Sequence, residues 1–119
     1  MGQARAVLWL MLAVLGGAAQ AGECARANDD TTIVEGHLTE RDGALILKLP
    51  QVMCLEGDDE SDNVPASAEI HVYSQDDALQ KALQRLAGKD VHLRGSMMGA
   101  ITQHHKAPIV MQVSEADEI

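Results

Sequence analysis

The adjacent histidines His104 and His105, with Met97 and Met98 upstream and Met111 downstream, are the residues here best suited to chemistry. Imidazole with thioether is a ligand set for copper(I), and imidazole alone suits zinc or copper(II). A metal site of His104, His105 and Met98 holding copper or zinc is therefore one expectation. Spacing weighs against it, because neighbours on an extended segment point opposite ways and reach one ion only where the loop turns. Met111 has core parity, and methionine is ordinary core filler. An oxygen-rich set, EGDDESDN at Glu56–Asn63, packs five carboxylates into eight residues. Asp58, Asp59, Glu60, Asp62 and Asn63 are hard ligands of the kind calcium uses. The glycine precedes the acids and no glutamate closes the loop at EF-hand distance, so a solvated acidic loop is expected ahead of calcium.

Catalytic patterns are thin. Ser67, Ser74 and Ser96 lack a G-x-S-x-G context. There is no H-E-x-x-H, no glycine-rich phosphate loop and no pair of carboxylates borne on a helix. The expectation is a protein that binds rather than turns over. His37, His71 and His92 fall on strand faces opposite the aliphatic residues. Surface histidines are ordinarily solvated, so each alone carries little.

Met1–Ala21 reads as an export signal: a basic start ending at Arg5, an apolar run over Ala6–Leu15, and Ala19-Gln20-Ala21 as the cleavage signature. That run is shorter than the roughly 20 residues a bilayer span needs. The mature chain, residues 22–119, is then one domain in the periplasm or outside the cell, with no membrane contact after cleavage. Cys24 and Cys54 are its cysteines, and an isolated pair in an oxidising compartment is most simply a disulfide.

The whole chain carries a formal charge of −9, and losing Arg5 makes the mature protein more acidic still. No basic run offers a nucleic-acid footprint. Trp9 leaves with the signal, there is no phenylalanine, and Tyr73 remains as the sole non-histidine ring. Single strands need stacking platforms, so nucleic acid is excluded twice. The core must be aliphatic.

The elements that would position these residues follow from alternation and turn signals. Thr31–Arg41 is a strand with Val34, Gly36 and Leu38 on one parity, and Gly36 suggests a bulge or sharp bend. Asp42-Gly43 is a hairpin turn. Ala44–Leu49 is a second strand with Leu45, Leu47 and Leu49 inward, ended by Pro50. Gln51–Ser67 reads as irregular. Ala68–Tyr73 places Ile70 and Val72 inward, and His71 and Tyr73 outward. Ser74 then offers an N-cap, with Asp77 completing a capping box for a helix to about Ala87. Gly88 stops it. Asp90–Met98 places Val91 and Leu93 inward and turns His92 and Arg94 outward. Pro108–Val113 closes the fold with Ile109, Met111 and Val113 alternating against outward Val110 and Gln112, and SEADEI is a short tail.

Strand, strand, strand, helix, strand, strand is the order of the five-stranded OB barrel, whose ligands meet its middle strands and the loops after its first and fourth strands. The fold class expected is thus a small β-barrel with one helix plugging an end. Tyr73, His92, Arg94, His104 and His105 would form its contact surface. The partner would be a protein or small polar ligand of the cell envelope, with an inhibitor or immunity-type role as one form.

Three stretches carry a resemblance: TIVEGHL (Thr32–Leu38), CLEGDDESDNVPAS leading into EIHVYS (Cys54–Ser74), and GKDVHLRGSMMGAITQHHKAPIVMQV (Gly88–Val113). They resemble a family of small exported bacterial proteins catalogued only as a domain of unknown function. That implies a domain type and no activity. More distantly, the strand order is similar to bacterial periplasmic OB-fold proteins, some of which bind copper through histidine, methionine and tryptophan. The mature sequence has no tryptophan to match.

Overall fold

The computed structural model describes residues 23–100 and 105–119. The expected signal, Met1–Ala21, and His104 lie outside the described residues. The elements are β1 (Ala25–Arg26), β2 (Thr32–Arg41), β3 (Ala44–Glu56), a 3-10 turn (Glu60–Asp62), β4 (Val64–Tyr73), α1 (Asp77–Arg85), β5 (Asp90–Gly99) and β6 (Ile109–Glu118).

Hairpin chemistry starts the ring. Asp42 and Gly43 both take positive φ, 54° and 82°, as a two-residue turn of the I′ kind requires, and Arg41 faces Ala44 across it. Around the circumference β3 joins β2, β2 joins β5, β5 joins β6, β6 joins β4, and β4 returns to β3. Within this ring all pairings are antiparallel except β4 with β6, which run parallel from Ile70–Ile109 to Tyr73–Gln112. This is the closed five-stranded barrel with one helix that the strand order predicts, and its connectivity is OB-like.

Leu38, Leu47, Ile70, Leu93, Ile109 and Met111 are sealed inside with no exposure. From α1 the buried contribution is Leu83, also at 0%, with Leu79 and Leu86 packed beside it. Burying a leucine fully is worth about 1.5–3 kcal/mol, so the helix stabilises the barrel chiefly through one side chain.

Several boundaries differ from those read off the sequence. Pro50 does not end β3, which runs on to Glu56. The strand's register with β4 shifts between Lys48 and Met53, and its pairing with β2 stops at Lys48. Proline is tolerated at such an irregularity because it breaks no ladder bond there. Gln51–Ser67 is accordingly mostly strand, broken only by the acidic loop and its 3-10 turn. SEADEI is no tail: β6 extends through it, pairing Glu115–Glu118 with Val91–Arg94 after a register shift at Arg94/Gly95. The bulge belongs there and in β3. At Gly36 the register with β5 is continuous, and the glycine instead admits the Lys48 carbonyl, which a Cβ would strike.

The helix cap also moves. Asp76, not Ser74, is the N-cap, its Oδ1 accepting from the backbone N–H groups of Ala78 (2.9 Å) and Leu79 (3.2 Å). Ser74 sits two residues earlier, where its Oγ accepts from Asp76 N.

Cys24 and Cys54 form the expected disulfide, closing a separation of 30 residues. It fixes the start of the described chain to β3, where β1 adds a short parallel pairing, Ala25 with Leu55 and Arg26 with Glu56.

Candidate functional site

The outer face of β3, β4, β6 and β5 carries two neighbouring rows. One runs Ile46, His71, Val110, Met98, and the next runs Tyr73, Gln112, Ser96. Alternation puts these side chains outside, yet Ile46 and Val110 are fully buried. Val110 therefore departs from its expected exposure. The described end of the β5–β6 connection, residues 105–108, is tied down over this row.

Lys106 makes the tie through its backbone alone. Its N–H donates to His71 Nδ1 at 3.2 Å, and its carbonyl accepts from Arg41 Nη2 at 2.9 Å. Arg41 is itself held by a bidentate pair with Glu69, at 3.1 and 2.9 Å. That contact raises the guanidinium pKa and lowers that of Glu69. Since Nδ1 of His71 accepts, its proton sits on Nε2, and the ring is held in one neutral tautomer. Burial first, then the nearby His105 and Lys106, push its pKa below the ordinary histidine value.

His105 stands edge-on to His71, with ring centroids 5.8 Å apart and planes at 78°. Its Nδ1 is buried and meets no hydrogen-bond partner among the described residues. Beside this pair a small pit of about 80 Å³ is lined by Asn28, Tyr73, Ser96, Met97, Met98 and Gln112. Tyr73, Met98 and His105 are all half-buried. The side chains of Met97 and Met111 are buried in the core, so neither sulfur is open to a surface ligand although Met97 contributes to the pit wall.

His92 and Arg94 sit apart from this patch, further along β5, His92 in a hydrogen bond and Arg94 in an ion pair. His92 Nδ1 meets Glu35 Oε2 at 3.1 Å, and Arg94 meets Glu115 at 3.6 Å. The expected contact residues among those described thus divide into a rim pair (Tyr73, His105), with Met98 of the expected metal set lining the pit beside Tyr73, and a strand pair (His92, Arg94). Sequence reading missed the role of His71. Its signal was present, since His71 and Tyr73 share the outward parity of one strand, but its partner lies 35 residues away.

A second histidine also proves paired: His37 Nδ1 meets Asp90 Oδ1 at 2.9 Å. It neighbours the His92–Glu35 pair, because Glu35 faces His92 and His37 faces Asp90 across β2 and β5.

The acidic loop is engaged internally. Asp59 caps the 3-10 turn, accepting from the N–H and Oγ of Ser61, which lowers its pKa. Asp58 pairs with Arg26 at 3.1 Å, and Asp62 takes bonds from Gly99 and Asn28. Among the described residues no three histidine, cysteine or acidic side chains converge on one point as metal ligands would. Among them, too, no helix is long and apolar enough to cross a membrane.

No curated protein and no solved structure matches the chain. Residues 69–117, which run from the strand bearing His71 and Tyr73 through the helix to nearly the end of β6, match the family described as Domain of unknown function (DUF4431).

Proposed function

We propose that this protein is an exported OB-type binding module, without catalytic turnover, that recognises a protein or small polar ligand of the cell envelope at its rim. The observation that carries this reading is the tie through Lys106. It holds the segment bearing His105 against His71, two residues along the same strand face from Tyr73, before any ligand arrives, which lowers the entropy lost on binding. The disulfide supports an oxidising compartment. The acidic balance suits a basic partner, as an inhibitor of an exported enzyme would need. The test is affinity capture from an envelope extract with the wild type, Tyr73→Ala and His105→Ala. A partner retained by the wild type and lost with both variants supports the rim. A partner retained equally by all three rejects it.

A second reading, copper or zinc bound by His105 and Met98 together with His104, is favoured by the buried, unpartnered Nδ1 of His105. His71 would not join that set, because its accepting nitrogen already holds Lys106 N–H. Calorimetric titration with copper(I) and zinc tests it. Heat of binding that survives His105→Ala would sink it.

A further inference from the structure

Where β2 and β3 part company, the barrel wall opens into a fork. Their pairing ends at His37 with Lys48. Beyond that point β2 runs back through Gly36 to Thr32, registered with β5 alone, while β3 runs on through Leu49–Val52 with no register to β2. Gly36 keeps the apex tight, since a Cβ there would meet the Lys48 carbonyl and Leu47. Between the strands lies a cleft of about 380 Å³, lined by Leu49, Pro50 and Ile119 together with Glu35, Gly36, His37, Lys48 and Asp90. Ile119 is placed there by its N–H, which donates to the Asp90 carbonyl at 3.0 Å.

Two further observations point to an occupant. The large hydrophobic side chains left exposed among the described residues are Ile33 (55%), Val52 (64%) and Ile119 (69%). Ile119 lines the cleft, Ile33 is two residues from Glu35 on β2, and Val52 is two residues from Pro50 on β3. One of the three lines the concavity and the other two lie two residues along the strands from residues that do, an arrangement that favours an interaction site over scattered surface. The lining is also uneven in charge, with carboxylates at Glu35 and Asp90 against one ammonium at Lys48 and the imidazole of His37, on a chain of formal charge −9.

We propose that this fork is a second binding site, distinct from the rim, which takes an extended segment of a basic protein partner. Strand edges without a neighbour supply main-chain donors and acceptors to an added strand. Apolar side chains of the segment pack on Leu49, Pro50 and Ile119. Its alternate basic side chains reach Glu35 and Asp90, whose bonds to His92 and His37 hold the carboxylates in place.

The test uses the 15N-labelled protein and short, end-capped peptides alternating lysine with valine, lysine with serine, and glutamate with valine. The lysine–valine peptide is expected to give saturable amide shifts at Gly36, Leu49 and Ile119. The other two peptides should give none. Glu35→Lys and Ile119→Ser, both at exposed positions, are each expected to weaken that binding about tenfold, or 1.4 kcal/mol. His105→Ala should leave it unchanged, which separates this site from the rim. Shifts confined to Tyr73 and Lys106, or equal binding of the lysine–serine peptide, would overturn the proposal. Self-association abolished by Ile33→Lys and Val52→Lys would assign the fork to a second copy and overturn it as well.

Discussion

Asp62 Oδ1 accepts the backbone N–H of Gly99 at 3.2 Å, fastening the acidic loop to the far end of β5. Its other oxygen takes Asn28 Nδ2 at 3.4 Å. The approach is close enough that a Cβ on Gly99 would strike the Ser61 carbonyl. Asp62→Ala is expected to lower stability by about 1 kcal/mol, the usual net worth of a hydrogen bond. Gly99→Ala should lower it by roughly 1–3 kcal/mol, because backbone must shift to admit the methyl. Urea midpoints at constant m-value measure both.

Acid should loosen the connection over the outer face. His71 accepts from Lys106 only while neutral, because the charged ring carries a proton on both nitrogens. Its folded-state pKa lies below the ordinary 6.5, through burial and then the proximity of His105 and Lys106. The unfolded chain therefore takes up the proton first. The contribution is intact above pH 6.5 and fades as pH falls from there through the lower folded value. Hydrogen exchange at Lys106 should accelerate across that window beyond the intrinsic rate. In His71→Asn, whose side-chain oxygen can accept without titrating, the extra acceleration should vanish.

Moving the cap from Ser74 to Asp76 makes a quantitative contrast. Asp76→Ala removes the acceptor for two helix N–H groups and should cost about 1 kcal/mol, within the range for lost N-caps. Ser74→Ala removes one exposed bond outside the helix, and a change of no more than about 0.5 kcal/mol is expected. Thermal denaturation of the two variants ranks them. Equal losses would contradict the cap assignment.

Reducing the Cys24–Cys54 bond releases a loop of 30 residues and should lower stability by roughly 3–4 kcal/mol in the chain-entropy account. Guanidinium unfolding with and without reductant measures it, and the Cys24→Ser, Cys54→Ser double variant should match the reduced protein.

Much of this architecture could be read directly from local pattern. Asp42-Gly43 names its own turn, and Leu45, Ile70, Leu93 and Met111 declare their face by alternation, because both signals are confined to a few residues. What stayed hidden depends on distant chain. Pro50 looked like a terminator because nothing nearby announces that β2 has already left β3 by that point. SEADEI looked polar and loose because its partner, Val91–Arg94, already had an obvious inner face and no visible need of it. Val110 looked exposed because the residues tied over it come from a connection whose path has no local code. The His92–Glu35 and His37–Asp90 pairs likewise required a cross-strand register that sequence does not give.

The parallel seam between β4 and β6 has a consequence for how the molecule is made. Among the described residues β6 supplies both the last partner of β5 and the only partner on that side of β4. Until it docks, two strand margins are bare at once, each a template for pairing with a neighbouring chain. A nick or truncation after Gly99 would therefore convert a ring into an open ribbon prone to aggregation, although the hairpin, the helix and the sulfur bridge would all still be present.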